Sequence, residues 1–307
     1  MATAQDITGG VGIQNLLIAT DFSQCSRPAL DFGLQVAKTY RAAAHIVFVI
    51  PSDEFLLAGP SAYVAAKDAA ARDLQELKSE LGRKRALVEG RDYRLYLLEG
   101  QASQAILDFA CRRQIDLIVL GTHGRGGLGK ALIGSVAERV FRQSPVPVLT
   151  LGPHLRRAVL DDVARNILVA VDFTPASTRA VQFAVGLART NNAKLTLLHI
   201  VDPKQLEHIP DRAAVRHGIE TQLTGLLGHA REDVNCSVRV ETGQVVPAVL
   251  HVLKEMGADL LVMGVRPPSG VLDRLMFPRA YELVRESSCP VLTFREKRAN
   301  SASPNEK

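Results

Sequence analysis

The amino-acid sequence predicts an α/β fold in which two doubly wound parallel sheets, each of five strands, follow one another along the chain. Short apolar runs alternate with amphipathic segments of helical spacing through residues 13–150, which is typical of parallel strands covered by helices on both faces. The pattern recurs through residues 166–293, and self-similarity over a whole domain indicates a duplication. A length of 307 residues suits two domains, since a domain usually has roughly 100–200 residues.

The strands of the first half are short and end at turn residues. We predict them at residues 13–21, 45–50, 93–98, 115–120 and 145–150. Helices are expected from Phe22-Ser23 onward, over 60–81, over 102–113 and after Gly134. In the first helix, Leu30, Leu34 and Ala37 share one face at helical spacing, so this helix should pack against the sheet.

Matching residues locate the two copies of the repeat. Asp172 follows Asp21 by 151 residues within a closely similar segment, and Gly264 follows Gly121 by 143 residues. The second copy is therefore shorter in the middle, where loops absorb changes of length. We place the two domains at residues 12–152 and 164–296.

Charge and cysteine content exclude several function classes. Lys and Arg total 37 and are interspersed with 32 Asp and Glu, for a net charge of +5; this balance favours small anionic ligands and argues against nucleic acid. The four cysteines lack the spacing of zinc ligands and fit a reducing cytosol. No signal-peptide pattern and no apolar run near the roughly 18 residues of a membrane span is present. We expect a cytoplasmic protein without a metal site or membrane contact.

A glycine-rich segment follows the fourth strand of the first half. Five of the nine residues from Gly121 to Gly129 are glycine, so the backbone can present several N–H groups to one point. Arg125 and Lys130 add positive charge, and Ser135 stands as N-cap or first-turn residue of the next helix. A strand, a loop of donors and a helix N-terminus together predict an anion site.

Three sequence patterns overlap on this segment. A dinucleotide G-x-G-x-x-G reading lacks the acid expected about 20 residues later. A P-loop reading places Ala131 where a Mg²⁺-binding hydroxyl is needed. The third pattern is Gly121-x-x-Gly124, nine residues, then Gly134-Ser135, and it resembles the nucleotide-binding signature of ATP-binding universal stress proteins. A loop that binds nothing remains the alternative.

The resemblance covers nearly the whole chain and implies a tandem universal stress protein with an ATP-type first half and a degenerate second half. It implies flavodoxin-like or Rossmann-like sheets with strand order 3-2-1-4-5. The halves should pack as a pseudo-dimer along their final strands, Pro147–Thr150 and Pro290–Thr293. In the second half, Gly264 is retained but Pro267, Phe277 and Pro278 replace the other signature residues.

Residue by residue, the resemblance implies that Ala19, Thr20 and Asp21 lie beside the adenosine and that Val49 contacts adenine through its backbone. The phosphates would lie against the glycine-rich loop and the following helix. The cofactor is expected to be ATP, with or without Mg²⁺. The implied nucleotide-binding residues are Ala19, Thr20, Asp21, Val49, Leu120, Gly121, His123, Gly124, Arg125, Gly134, Ser135 and Val136.

Several of these residues have a simpler alternative role. Asp21 could cap the first helix through Ser23, since Asp172 recurs in the half where no nucleotide is expected. His123 could be a solvated loop residue. Asp116 and Asp259 are expected to be structural, binding backbone or the other domain.

No catalytic motif stands out, so an adenine nucleotide is expected to be bound rather than turned over, with at most slow hydrolysis. The chain is therefore interpreted as an ATP-binding regulatory module of a stress response. An interaction scaffold that leaves the loop empty is the first alternative, and an ATP-hydrolysing enzyme is the second. Homodimerisation and the protein partners are left open.

Overall fold

The computed structural model describes residues 12–51, 59–85, 87–122, 133–155, 164–265 and 277–296. The strands of the first half are β1 Asn15–Ala19, β2 Ala43–Ile50, β3 Tyr93–Glu99, β4 Leu117–Gly121 and β5 Val148–Leu151. Its helices are α1 Arg27–Tyr40, α2 Pro60–Arg85, α3 Ala102–Arg112 and α4 Ser135–Gln143.

The second half repeats this order of elements. Its strands are β6 Asn166–Ala170, β7 Lys194–Val201, β8 Cys236–Thr242, β9 Leu260–Val265 and β10 Val291–Arg295. Its helices are α5 Pro175–Asn191, α6 Arg212–Leu227, α7 Val245–Met256 and α8 Phe277–Glu286. The predicted alternation of strands and helices is confirmed in both halves.

All ten strands form one sheet in the order β3-β2-β1-β4-β5-β10-β9-β6-β7-β8. Each half has the expected order 3-2-1-4-5 with parallel neighbours. The two halves join where β5 and β10 pair antiparallel. The two predicted five-stranded sheets are therefore continuous, and they meet along the final strands as the sequence indicated.

Helices cover both faces of the sheet. Leu16 and Ile18 of β1 pack in a cluster with α1 and α2, whereas Leu17 packs with α3 and α4. All three side chains are fully buried, which explains why the strand is a continuous apolar run rather than an alternating one. The cluster on the α1 face also includes residues of α5 and α6, so the halves share a core on that face.

The predicted start of the first helix is wrong. Helix α1 begins at Arg27 rather than at Phe22-Ser23, because Phe22 has a positive φ of 60° that a helix cannot contain. Pro28 lies in the first turn of α1, where its missing N–H leaves no intrahelical hydrogen bond unmade. Similarly, β5 begins at Val148, after the two prolines that the sequence placed at the strand start.

A pseudo-twofold axis passes between the central strands. Leu149 pairs with Leu292, its counterpart 143 residues later in the chain. On the α1 face, Asn191 Nδ2 donates to the hydroxyl of Tyr40, its counterpart, at 2.7 Å. A small apolar cavity of about 30 Å³ lies on this axis and is lined by counterparts such as Phe32 and Phe183. Equivalent positions of the two copies therefore face one another.

One counterpart pair on the central strands makes unequal hydrogen bonds. The Thr293 hydroxyl donates to Val148 O at 3.1 Å, whereas the buried Thr150 hydroxyl has no hydrogen-bond partner among the described residues. We predict that Thr293→Val lowers the free energy of unfolding by about 0.5–1.5 kcal/mol. Thr150→Val should leave it unchanged or raise it, because it removes a buried hydroxyl without an acceptor. Urea denaturation of both variants tests this, and equal losses would contradict it.

The first half contains a buried histidine whose pKa is lowered. His45 is 4% exposed, its ring lies beside Tyr96 and Phe109, and Nδ1 is 3.2 Å from the Tyr96 hydroxyl. Burial lowers the pKa of His45, and the positive charges of Arg94 and Arg113 lower it further. The unfolded chain therefore binds a proton at a higher pH than the folded chain does.

We predict that stability falls as the pH drops through about 6.5, the ordinary histidine pKa, by at most about 1.4 kcal/mol per pH unit from this group. His45→Phe should flatten the dependence of melting temperature on pH between about 7.5 and 5.5. The exposed residue His251 provides the control, and His251→Phe should keep the wild-type dependence. The same slope in His45→Phe and wild type would rule out His45 as the source.

Candidate functional site

The described residues of the predicted site lie at the carboxyl ends of β1, β2 and β4 and at the start of α4. Strand β1 lies between β2 and β4, and the chain leaves β1 and β4 toward helices on opposite faces of the sheet. Such a switch in strand order opens a crevice beyond the strand ends, the usual ligand position in this type of sheet. His123, Gly124 and Arg125 lie outside the described residues.

A tight turn follows β1. Asp21 Oδ1 accepts hydrogen bonds from Ser23 N at 3.0 Å and from Ser23 Oγ at 2.6 Å. The second half has the same turn, in which Asp172 Oδ1 accepts from Thr174 N at 3.1 Å and Thr174 Oγ1 at 2.6 Å. Asp21 therefore has a structural role in the turn, although it precedes the helix by several residues and does not cap it.

The backbone of Val49 faces the crevice. Thr20 N donates to Val47 O at 3.0 Å, which is the last contact of β2 with the end of β1. Because alternate residues of a strand direct their peptide groups to the same side, the N–H and C=O of Val49 point past the end of β1. The Val49 side chain is only 9% exposed and packs under α3 and α4. Any contact of Val49 with a ligand would be made by its backbone.

Strand β4 ends in two residues with different environments. The Leu120 side chain is 4% exposed and lies in the core under α3 and α4, so only its backbone is near the crevice. A Cβ on Gly121 would lie 3.0 Å from Cys25 O. At the counterpart, a Cβ on Gly264 would lie 2.4 Å from Ser177 N. This glycine recurs because the end of β4 lies close to the turn before α1, and the end of β9 lies close to the first turn of α5.

The ends of the glycine-rich segment are joined by a hydrogen bond. Gly134 N donates to Thr122 O at 2.7 Å, and Thr122 N donates to Leu151 O at 3.0 Å. Thr122 is 2% exposed, so this junction is anchored in the protein. The residue after β4 and the N-cap of α4 are therefore held together in the fold beside β1. The sequence pattern did not single out Thr122, because nothing local distinguishes it from the rest of the loop.

Helix α4 begins at this junction. Gly134 is the N-cap, with φ −60° and ψ 145°, and as a glycine it has no side chain to cap the first turn. Ser135, predicted as N-cap or first-turn residue, is the exposed first residue of the helix, and Val136 is half-buried. The first N–H groups of a helix have no intrahelical acceptor and carry partial positive charge. This end of α4 is suited to an anion.

Asp116 and Asp259 lie at the opposite edge of the sheet, before β4 and β9. Asp116 Oδ2 accepts from Gln14 N and Asn15 N, both at 2.8 Å. Asp259 accepts from Arg165 N at 2.9 Å and from Asn166 N at 3.0 Å. Of the two structural roles left open by the sequence, backbone binding is the correct one, and each carboxylate fixes the start of a central strand.

No group of three or more His, Cys, Asp or Glu side chains in the described residues is placed to hold a metal ion. Within the same part of the chain, no helix has the length and apolarity needed to cross a membrane.

Comparison with known proteins gives consistent matches. The profile of the universal stress protein family matches residues 12–151 and again residues 164–295. Universal stress protein MJ0531 of Methanocaldococcus jannaschii is 31% identical over 139 residues, which cover 45% of this chain and 81% of that protein. A universal stress protein of Mycobacterium tuberculosis is 28% identical over 189 residues, covering 60% of this chain and 63% of that protein.

The fold also matches a solved structure over nearly its full length. The crystal structure of a universal stress protein from Archaeoglobus fulgidus has a TM-score of 0.72 and 22% identity, and the match covers 93% of this chain and 98% of that one. At this level of identity the likeness concerns the fold.

The unequal space around the two strand-end glycines gives a stability prediction. Gly264→Ala should lower the free energy of unfolding by about 1–3 kcal/mol, because backbone atoms must move to admit the methyl group, and Gly121→Ala should lower it less. Gly225→Ala in α6 is the control, since its surroundings are open and alanine favours a helix by up to about 1 kcal/mol. Urea denaturation measures all three. A larger loss at Gly121 than at Gly264 would contradict the packing argument.

Proposed function

Because the chain belongs to the universal stress protein family, we propose that residues 12–152 bind an adenine nucleotide, ATP with or without Mg²⁺, in the crevice beyond β1 and β4. The observation that carries the proposal is the hydrogen bond from Gly134 N to Thr122 O. It holds both ends of a glycine-rich, basic segment beside a helix N-terminus without a side-chain cap.

The adenosine part would lie against Ala19, Thr20, Asp21 and Val49. The peptide N–H and C=O of Val49 offer one donor and one acceptor past the end of β1, which suits the edge of a purine base. Asp21 uses Oδ1 for Ser23. Since a carboxylate has about four lone-pair sites, it is also able to accept from a ribose hydroxyl.

The phosphates would lie between the glycine-rich segment and α4. The sequence places Gly124, Arg125 and Lys130 in that segment, so amide donors and two cations would surround a polyphosphate. The N–H groups of Ser135 and Val136 at the start of α4 add donors of the same kind. His123 would belong to this group as a loop ligand.

Residues 164–296 are proposed not to bind the nucleotide. Phe277 and Pro278 stand where the first half has Gly134 and Ser135, and Pro267 stands in the loop. Proline has no N–H to donate, so the second half lacks donors at both places. A chain with one retained and one altered loop is suited to nucleotide-dependent regulation of a stress response rather than to hydrolysis of the nucleotide.

The decisive test copies the second half into the first, in the full-length protein. Gly134→Phe with Ser135→Pro should fold, because the dihedral angles of Gly134 are open to any residue and proline is favoured at the first helical position. ATP at about 100 times its dissociation constant should stabilise the wild type by about 2.7 kcal/mol and the double variant not at all. Thermal melting with and without ATP and Mg²⁺ measures this.

A matched pair of single variants tests the charge. Arg125→Ala should weaken ATP binding by about 1–3 kcal/mol, the usual loss of a charge-assisted hydrogen bond, while Arg266→Ala in the altered loop should have no effect. Equal stabilisation of the double variant and the wild type would place the site elsewhere. If ATP stabilises no form of the protein stripped of bound nucleotide, the interaction-scaffold alternative is favoured.

A further inference from the structure

Helix α4 packs on the cores of both halves. Ala137 and Val140 lie in the cluster that α3 and α4 form over the first half of the sheet. Phe141, only 5% exposed, lies instead in a cluster whose other buried members all belong to the second half. Ile133, the residue before the N-cap, packs against both clusters. The helix that begins at the candidate site is therefore seated partly on the second half.

Side chains of the second half contact α4 near its middle and its end. The Tyr281 ring of α8 lies 5.1 Å from the Phe141 ring. Burial raises the pKa of Tyr281, and the Glu138 carboxylate of α4 raises it further, so the hydroxyl stays protonated beside that carboxylate. Arg295 donates to Gln143 O, the last residue of α4, at 3.1 Å. These contacts hold the helix from the second half between Glu138 and Gln143.

Among the described residues, α4 and α8 differ in the apolar clusters to which they contribute. Val284 of α8 is the counterpart of Phe141, 143 residues later, and it packs in the cluster of its own half. The cluster under α3 and α4 contains only residues of the first half. Helix α4 thus contributes to a cluster of each half, whereas no residue of α8 belongs to the cluster under α3 and α4.

We propose that the second half positions the phosphate-binding end of α4, with Phe141 and Tyr281 as positioning residues. This inference rests on the proposed nucleotide site of the first half. Helix α4 has nine residues and moves as a rigid rod of about 1.5 Å per residue. A shift at Phe141 therefore displaces the N–H groups of Ser135 and Val136, and hydrogen bonds to phosphate weaken steeply with distance and angle.

The experiment measures ATP and adenosine affinities of the full-length protein by calorimetry, with adenosine measured by competition. Phe141→Ala should weaken ATP binding by about 2- to 30-fold, the range found for residues that couple two sites, and leave adenosine binding unchanged. Phe141→Leu, which refills most of the space, should recover most of the ATP affinity. Tyr281→Phe should weaken ATP binding in the same direction.

Leu198→Ala is the matched control, because it removes buried volume from the same cluster on β7, which three strands separate from β5. It should lower the melting temperature and leave both affinities unchanged. Because coupling is reciprocal, ATP should also slow hydrogen exchange in residues 277–286 of the wild type.

The outcomes separate this inference from the proposed function. If wild-type protein does not bind ATP, both are wrong. If it binds ATP and the Phe141 and Tyr281 variants bind equally well, only the positioning role is wrong. Equal weakening of ATP and adenosine, or the same loss in Leu198→Ala, would reduce Phe141 to a general packing residue and also overturn the inference. Should Phe141→Ala fail to fold, Phe141→Leu and Tyr281→Phe decide the question.

Discussion

The antiparallel pairing of β5 with β10 is the constraint on which the rest of the structure depends. Each half alone would end in a short apolar edge strand with unpaired peptide groups, which is a template for pairing with another strand. Pairing Leu149 opposite Leu292 removes both edges and fixes the register of the halves. The same pairing brings α1 and α5 onto one shared core and seats α4 on the cluster of the second half.

Much of this fold is predictable from the sequence because its determinants are local. Apolar runs, helical spacing and the repeat predicted the strands and helices of both halves. The final Pro-Val-Leu-Thr strands indicated where the halves meet. The late start of α1 was missed, because the positive φ of Phe22 depends on hydrogen bonds from Ser23 to Asp21 that no spacing rule predicts. The seating of Phe141 beside Tyr281 was also missed, since it joins residues 140 positions apart without a shared pattern.

The candidate site shows what a duplicated chain can and cannot indicate from sequence alone. Residues that the two copies share, such as Asp21 with Asp172 and Gly121 with Gly264, have the same packing or turn role in both halves. The proposed difference in ligand binding rests on residues that differ between the copies, such as Gly134 and Phe277. The sequence located the strand ends around the crevice, but the junction of Thr122 with Gly134 required the three-dimensional structure.

The pseudo-twofold axis has an evolutionary consequence. Leu149 meets an identical residue across it, but other pairs are unlike, as in the pair of Tyr40 with Asn191. Glu138 and Tyr281 are another such pair of counterparts. In an assembly of two identical first halves, two glutamates would meet at the latter position, and like charges repel. When the copies are joined in one chain, every interface contains one first half and one second half. Each side of the interface was therefore free to change without having to bind an identical copy of itself. Such a chain cannot readily revert to a symmetric dimer of single domains.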